Sequence, residues 1–237
     1  MIRNMLKKII YREKADSTAY VAHLRKLGVG IGEKVIIYDP SNKQIDITCP
    51  WLLQIGSYVR IARGAIILTH DYSWIVLKNA PETRGSILGA QSPVTIGNNV
   101  FIGMNAIITR GVTIGDNVII GAGSVVTKDC ESGFVYAGNP ARKIMSVSGY
   151  YKKRKSLQFS EAKEIARKYR AVFGCPPPKE VFFEYFMLFS TAEEAEDVPA
   201  FQRQMALGTG SENSMQYLSA HEPIFESYEA FLSACFE

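Results

Sequence analysis

The side chain with the clearest chemical potential is that of His70, one of three histidines beside His23 and His221. A free imidazole has a pKa of about 6.5, so at neutral pH it can accept a proton. A hydroxyl group is a poor nucleophile until a base removes its proton, and a positioned histidine is such a base. His70 stands in IILTHDYSW, at the point where a regular pattern ends. The sequence therefore indicates His70 as a candidate general base, with the capping of a turn as the alternative.

A six-residue repeat runs through the middle of the chain and must position this histidine. From residue 96 the sequence reads IGNNVF, IGMNAI, ITRGVT, IGDNVI, IGAGSV and VTKDCE. An aliphatic residue opens each unit, and a small or β-branched residue follows four places later. A unit this short cannot bury a core alone, but stacked coils can, since each covers its neighbour's apolar face. The glycine after most opening residues is interpreted as a turn position, where a missing Cβ lets the chain bend.

The same spacing occurs earlier in the chain, in a different phase. The isoleucines that share this earlier frame are Ile31, Ile37, Ile55, Ile61 and Ile67. Cys49 is also in frame, but Lys43 is out of the pattern, which predicts a distortion there. Because the two frames do not match, the residues from about Ser73 to Gly89 must leave the coil and return in a new phase. Such an excursion is typically functional, although a tolerated surface insertion is the alternative.

The stretch from Val94 to Ile144 carries a family resemblance. It contains IGNNVFIG, GVTIGDNVIIGAGSVVTKD and AGNPARKI. These motifs resemble the hexapeptide-repeat acyltransferases, including maltose and galactoside acetyltransferases and bacterial capsule and exopolysaccharide O-acetyltransferases. The resemblance implies a mainly β fold, a left-handed parallel β-helix over about Gly30 to Ile144, which is an exception to the usual right-handed crossover. The same coil also serves carbonic anhydrases and nucleotidyltransferases, so the fold alone does not set the reaction.

Three regions follow from these patterns. Residues 1–28 are expected to form a short N-terminal helical leader, residues 29–145 the β-helix acetyltransferase domain, and residues 146–237 a C-terminal helical extension. The apolar residues at helical spacing in the leader are Ile2, Met5, Leu6, Ile9 and Ile10. We expect this stripe to pack on the base of the β-helix, with membrane-surface attachment as the alternative. In the extension, SEAKEIARKYRAVF predicts a helix that Ser160 caps and Gly174 ends.

The composition is that of an ordinary soluble protein. With 237 residues, 47% of them hydrophobic, the chain can bury a core, and its net charge of +4 is too weak to indicate nucleic-acid binding. No apolar run is long enough to span a membrane, and MIRNMLKKII does not have the pattern of a secretory signal. The four cysteines lack metal-ligand spacing, and Cys49 and Cys130 fall on repeat positions as small core residues. We therefore expect a cytoplasmic protein.

The resemblance implies roles for the donor side of the site. In the family, the histidine that matches His70 is the general base, and acetyl-coenzyme A is bound largely through main-chain groups. Small residues let its pantetheine arm approach the coil, and basic residues suit its phosphates. The implied coenzyme A contacts are Gly103, Gly121, Ala122, Thr127, Lys128 and Arg142, with GNPARK at 138–143 near the adenine. Met104 stands where relatives often have serine, which puts a hydroxyl contact there in doubt.

The excursion is the expected acceptor side. Tyr72, Ser73 and Trp74 line the acceptor pocket in this interpretation, or else pack the excursion onto the coil. Asp71 is a candidate to orient the His70 imidazole, since a carboxylate can fix the tautomer of its partner. Adjacent side chains of an extended chain point to opposite faces, so a backbone carbonyl is an equally good candidate. Arg63 is a further acceptor-side candidate from its coil position.

The resemblance also implies a homotrimer with active sites between neighbouring subunits. The expected activity is O-acetylation of a carbohydrate, a surface-polysaccharide intermediate. N-acetylation of an amino sugar or a xenobiotic, and a non-catalytic trimeric scaffold, are the alternatives. A β-helical carbonic anhydrase would need three zinc-binding histidines, and only His70 lies in the coils, so no metal is expected. A nucleotidyltransferase would need a large domain ahead of the repeats, which residues 1–28 are too few to form.

Overall fold

A computed structural model describes residues 12–41, 45–208 and 210–237. The chain divides into two compact units, Met1–Tyr150 and Tyr151–Glu237. The strands lie in the first unit, and the second is helical. The predicted apolar stripe at residues 2–10 and the out-of-pattern Lys43 lie outside the described residues.

An N-terminal helix, α1 (Ser17–Leu27), precedes the coil. The Asp16 side chain accepts a hydrogen bond from the N–H of Ala19 and so caps the helix, and Gly28, with a φ of 104°, ends it. Tyr20 and Leu24 are buried in the same apolar core as the isoleucines of the coil. The described part of the leader is therefore joined to the β-helix by this core.

The first unit is built from short strands. In chain order they are β1 (Gly30–Ile31), β2 (Ile36–Ile37), β3 (Leu53–Ile55), β4 (Arg60–Ile61), β5 (Ile66–Ile67), β6 (Val94–Ile96), β7 (Phe101–Ile102), β8 (Ile107–Ile108), β9 (Thr113–Ile114), β10 (Ile119–Ile120), β11 (Val125–Val126), β12 (Phe134–Ala137) and β13 (Arg142–Ser146). Their brevity follows from the six-residue repeat, which leaves room for about one strand and one turn per unit.

The strands form three sheets, which are the three faces of the coil. The first face has the order β1-β3-β6-β9, the second β13-β12-β10-β7-β4-β2 and the third β11-β8-β5. Successive turns pair in parallel, so Ile96 lies opposite Ile114 and Ile102 opposite Ile120, and β13 alone among the named strands runs antiparallel to its neighbour. The opening isoleucines Ile61 and Ile67 are fully buried. This stack of parallel coils fits the left-handed β-helix that the family resemblance implies.

The glycine that follows most of the opening residues has a different role from the predicted one. A Cβ on Gly103 would lie 2.5 Å from the backbone nitrogen of Ala122 in the next coil, so the absence of a side chain permits coil-to-coil contact. The bend itself comes two residues later, where Asn99, Asn105 and Asn117 have φ values of 53°, 56° and 56°. Asparagine tolerates this left-handed conformation better than most residues. The interpretation of these glycines as the bending positions was wrong.

The first coil is longer than the regular ones. Ile45 pairs with Ile67 as an isolated bridge and is buried, so it takes the core position that the frame assigned elsewhere. Cys49 is half-buried and directly precedes a 3-10 helix at Pro50–Leu52, so its prediction as a core residue was wrong. Cys130 pairs with Ile114 and is buried, as predicted. The isoleucines before and after this coil still share one six-residue frame, because the coil is longer than a regular one by a whole repeat unit.

The predicted excursion from the coil is present. After β5 the chain forms α2 (Trp74–Asn79) and a 3-10 helix (Pro81–Thr83), and it then returns to start β6. An antiparallel bridge between His70 and Gln91 closes the excursion at its base. The N–H of Asp71 donates to the Ala90 carbonyl at 2.9 Å, and the N–H of Ser92 donates to the Thr69 carbonyl at 3.0 Å. The ends of the excursion are thus tied together directly beside His70.

The helices that follow the coil are α3 (Val147–Phe173), α4 (Ala192–Glu196), α5 (Pro199–Met205), α6 (Ser211–Ser219) and α7 (Tyr228–Phe236), with 3-10 helices at Lys179–Phe182 and Phe186–Leu188. Ser160 does not cap a helix, because α3 begins much earlier, and its hydroxyl donates to the Leu157 carbonyl at 2.9 Å. Gly174 ends α3 with a φ of 72°, as predicted. Among the described residues, no helix combines the length and the apolar character needed to cross a membrane.

Candidate active site

His70 lies at the corner that follows the third face. β5 ends at Ile67, the N–H of Leu68 donates to the Ile108 carbonyl at 2.9 Å, and Thr69 is fully buried. The bridge to Gln91 holds the His70 backbone from the other side. The His70 side chain is 18% exposed. The imidazole is therefore carried by rigid elements and is still reachable from solvent.

The Nδ1 atom of His70 contacts the carboxylate of Asp46. Asp46 Oδ2 also accepts hydrogen bonds from the backbone N–H and the hydroxyl of Thr69, at 3.0 and 2.6 Å, and Oδ1 accepts one from the N–H of Thr48 at 2.9 Å. The Asp46 side chain is only 4% exposed. The prediction that Asp71 or a backbone carbonyl orients His70 was wrong, because a residue of the preceding coil already occupies that position.

Strand register explains how Asp46 reaches His70. Ile45 pairs with Ile67, and the N–H of Asp46 donates to the Ile67 carbonyl at 2.9 Å. Asp46 therefore stands at the same corner as His70, one coil earlier. The sequence carries one signal for Asp46. It follows an aliphatic residue, Ile45, that lies outside the six-residue frame, in the stretch where the repeat is interrupted.

The surroundings of Asp46 keep its carboxyl group ionised. Burial acts to raise the pKa of this carboxyl, but the hydrogen bonds from Thr69 and Thr48 outweigh it and hold the pKa well below its ordinary value of 3.8. An ionised carboxylate only accepts hydrogen bonds, so the proton of the contact belongs to Nδ1 of His70. Nε2 of the neutral ring then carries a free lone pair. The pair is thus arranged as an oriented base.

Asp71 has a local structural role instead. Its Oδ1 accepts a hydrogen bond from the N–H of Ser73 at 2.7 Å, and its Oδ2 accepts one from the Ser73 hydroxyl at 3.0 Å. These bonds, the backbone one first, lower the pKa of the Asp71 carboxyl. A side chain that bonds the backbone two residues on forms a turn, and this turn leads the chain into α2.

A pocket of about 510 Å³ opens beside His70. Its lining is Leu68, His70, Asp71, Tyr72, Thr109 and Arg110. The Tyr72 ring meets the His70 ring edge to face, with centroids 4.4 Å apart, and the Trp74 ring lies 6.2 Å from that of Tyr72. Of the predicted acceptor residues, Asp71 and Tyr72 therefore line the pocket, whereas Ser73 and Trp74 do not. Thr109 and Arg110 were not predicted.

The predicted coenzyme A contacts lie at two corners that flank the third face. Gly103, Gly121 and Ala122 precede strands of this face, whereas Thr127 and Lys128 follow one. The N–H groups of Gly103 and Gly121 each donate to a carbonyl of the next coil at 2.8 Å, so the coil itself uses these amides. Ala122, Thr127 and Lys128 are exposed. The two glycines thus have a structural role, and the other three residues are accessible to a ligand.

The segment at residues 138–143 is attached to β11. The N–H of Val125 donates to the Gly138 carbonyl at 2.9 Å, and the N–H of Ala141 donates to the Val125 carbonyl at 2.8 Å. Arg142 follows directly, opens β13 and is exposed. The structure therefore places Arg142 next to the segment bonded to β11, the strand that Thr127 and Lys128 follow.

Arg63 does not line the pocket, and its Nε forms an ion pair with Asp39 at 3.0 Å. In the part of the chain that the structure describes, no cluster of three or more His, Cys, Asp or Glu side chains could hold a metal ion.

Known proteins match parts of this chain. Residues 93–128 match the hexapeptide repeat of succinyl-transferase. Over 150 residues the chain is 43% identical to Protein CapG of Staphylococcus aureus, covering 59% of this chain and 83% of that protein. A solved maltose O-acetyltransferase from Clostridium difficile 630 is 31% identical, with 61% of this chain and 82% of that chain covered and a TM-score of 0.40. A galactoside acetyltransferase in complex with coenzyme A is 26% identical, with 64% and 82% covered and a TM-score of 0.42.

Proposed function

The chain belongs to the hexapeptide-repeat acyltransferases, and on that premise we propose that it is an acetyl-coenzyme A-dependent O-acetyltransferase acting on a carbohydrate, a surface-polysaccharide intermediate. The observation that carries the proposal is the His70–Asp46 pair at the wall of an open pocket. A scaffold would not need a buried carboxylate aligned on a partly exposed imidazole, since burying a charge is costly unless the site uses it.

The proposed mechanism follows from the tautomer. His70 Nε2 takes the proton of the acceptor hydroxyl as the oxygen attacks the thioester carbonyl, and Asp46 stabilises the imidazolium that forms. The tetrahedral intermediate then collapses with cleavage of the carbon–sulfur bond. His70 Nε2 returns the proton to the departing thiolate, which leaves the acetyl ester, coenzyme A and the neutral imidazole.

The donor is proposed to lie along the third face, with its nucleotide end near β11. Lys128 follows that strand and Arg142 follows the segment that is hydrogen-bonded to it; both are exposed cations, and cations form strong charge-assisted hydrogen bonds with phosphates. Ala122 and Thr127 are two further exposed residues that are proposed to contact the donor. The acceptor is proposed to enter from the excursion, where Tyr72 is 61% exposed beside His70 and offers a ring surface to a sugar.

The outward side chains of the faces support a homotrimer. Along the third face they are Ile66, Ile107 and Val125, and on the second face they are Ile36, Phe101 and Ile119 with one charged residue, Arg60, among them, whereas on the first face they are Gln54, Thr95 and Thr113. Two apolar faces on one chain favour a closed ring in which the second face of one copy meets the third face of the next. Three chains would then enclose three donor clefts.

A charge on the third face should break this assembly. Ile107→Glu is expected to convert a trimer into monomers and to lower acetyl transfer, because an interface buries the carboxylate without a partner. Light scattering measures the mass, and far-ultraviolet circular dichroism checks that the coil persists. Thr95→Glu, on the polar first face, is the matched control and should remain trimeric. A wild-type monomer with full activity would exclude the trimer.

The activity itself is tested by thiol release. Purified protein with acetyl-coenzyme A should release free thiol faster when a hydroxyl sugar or glycolipid precursor is added, and the sugar should gain an alkali-labile ester. Stimulation by amino sugars alone, with an alkali-stable amide product, would indicate N-acetylation instead. No stimulation by any sugar, amino sugar or small amine in the panel would leave the scaffold as the better account.

A further inference from the structure

Arg110 is a charged residue that lines the pocket, and the proposed reaction assigns it no role. It lies at the corner after β8, in the lining that also contains His70 and Thr109. Ile67 pairs with Ile108, so Thr69 and Arg110 hold equivalent positions on successive coils. Paired strands are about 4.8 Å apart, which puts the Arg110 backbone one coil away from that of Thr69, directly next to His70.

Within the described residues the guanidinium group of Arg110 forms neither an ion pair nor a hydrogen bond. The other charged group of the pocket lining is Asp71: hydrogen bonds from Ser73 do most to lower the pKa of its carboxyl, and the positive charge of Arg110 lowers that pKa further. Among the other described arginines of this unit, Arg25 and Arg60 donate to backbone carbonyls and Arg63 pairs with Asp39, whereas the exposed Arg12 and Arg84 form no such contact and lie outside the pocket lining. Arg110 is exposed and lines the pocket beside the proposed base, so its guanidinium donors are available to an anionic group of the ligand.

The donor is an unsuitable source of that anion. In the proposed function, on which this inference rests, Lys128 and Arg142 meet the phosphates of coenzyme A. Val126 pairs with Ile108, so Lys128 stands one coil beyond Arg110 and further from His70. The thioester must reach His70 to react, and the long pantetheine arm separates it from the phosphates. A cation at the level of His70 therefore meets the acceptor end of the site.

We propose that Arg110 selects an acceptor sugar that carries a negative charge close to the reacting hydroxyl, either the carboxylate of a uronic acid or a phosphate ester. The planar guanidinium can donate two parallel hydrogen bonds to either group. Arg110 would then hold the sugar while Tyr72 covers one side of it, and His70 Nε2 would meet a hydroxyl of the same ring. Arg110 is thus a specificity residue, and its loss leaves the base intact.

Sugars matched except at C6 test this assignment. Methyl glucoside, methyl glucuronide and methyl glucoside 6-phosphate, together with the galactose series, are compared as acceptors for the full-length protein. We expect kcat/KM to be roughly tenfold or more higher for the charged members, as for a charge-assisted hydrogen bond. Arg110→Gln should remove most of that preference and leave the neutral sugar and the KM for acetyl-coenzyme A unchanged, and Arg110→Lys should restore part of it. A carboxylate preference without a phosphate preference would identify a uronic acid, and the reverse a sugar phosphate.

Two further variants separate the possible outcomes. Lys128→Gln should raise the KM for acetyl-coenzyme A without changing acceptor preference. Arg203→Gln, which replaces an exposed arginine of the second unit, controls for the loss of one positive charge.

Equal loss of kcat/KM on neutral and charged sugars in Arg110→Gln would mean that Arg110 stabilises the transition state, and a raised KM for acetyl-coenzyme A would mean that it binds the donor. Either result overturns the proposal. Equal use of all sugars by the wild type overturns it too but leaves the O-acetyltransferase standing. Calorimetric titration gives the dissociation constants of the same sugars for the wild type and Arg110→Gln, so the preference for a charged sugar is also compared without measuring turnover.

Discussion

Replacement of His70 by alanine is expected to lower the turnover of acetyl transfer by about 10²–10⁴-fold, the range for the loss of a positioned general base. His70 is the group whose Nε2 can take the proton of the acceptor, since Asp46 holds Nδ1. Binding of acetyl-coenzyme A should change little, because the proposed donor contacts lie on other coils. Steady-state kinetics measure the first quantity, and calorimetric titration with coenzyme A measures the second.

His23→Ala is the matched control for this substitution, since His23 lies on α1 and outside the pocket. It should retain wild-type turnover. If His70→Ala instead lost folding together with coenzyme A binding, His70 would be a structural residue that caps the turn at the base of the excursion.

Replacement of Asp46 by asparagine is expected to lower kcat/KM by roughly 10–100-fold or more, 10–100-fold being the range for removing the partner that orients a metal-ligating histidine. All partners of Asp46 donate hydrogen bonds: the Thr69 N–H and hydroxyl, the Thr48 N–H and the Nδ1 of His70. An amide has one accepting oxygen, so its NH₂ must face one of these donors. The variant also lacks the negative charge that stabilises the imidazolium.

A double-mutant cycle distinguishes positioning from mere stability. Asp46→Asn should cost its full factor in the wild-type background and almost nothing once His70 is alanine, because the two residues act as one unit. Asp71→Asn should cost less than Asp46→Asn, since Asp71 bonds Ser73 and not the imidazole. Equal effects of Asp46→Asn in both backgrounds would assign Asp46 to the fold alone.

Much of the fold could be predicted because the repeat records it directly. Each opening aliphatic residue is an inward position of a strand, and stacking in parallel register makes these positions periodic. The excursion could be predicted for the same reason, since a change of phase between Ile67 and Ile96 requires residues outside the coil. The role of the Ile-Gly glycines was misjudged because a contact with the next coil and a turn both favour glycine, and the sequence does not distinguish them.

The candidate site was less predictable. His70 could be found from its residue type and its place at the end of a regular segment. Asp46 could not, because its contact depends on how the first coil accommodates an extra repeat unit, and only the pairing of Ile45 with Ile67 sets it beside the imidazole. Arg110 belongs to an otherwise ordinary repeat, ITRGVT, and its proximity to His70 follows from strand pairing across the excursion. Sequence adjacency favoured Asp71, but stacking brings distant residues closer.

The most direct test of the account follows the acetyl group itself. Acetyl-coenzyme A labelled with ¹³C in the acetyl group is incubated with an accepted sugar and either wild-type protein or His70→Ala, and the sugar is analysed by mass spectrometry before and after mild alkali. The wild type should form a labelled ester that alkali removes, and His70→Ala should bind the donor but form this ester about 10²–10⁴-fold more slowly. Ester formation by His70→Ala at close to the wild-type rate would contradict this expectation.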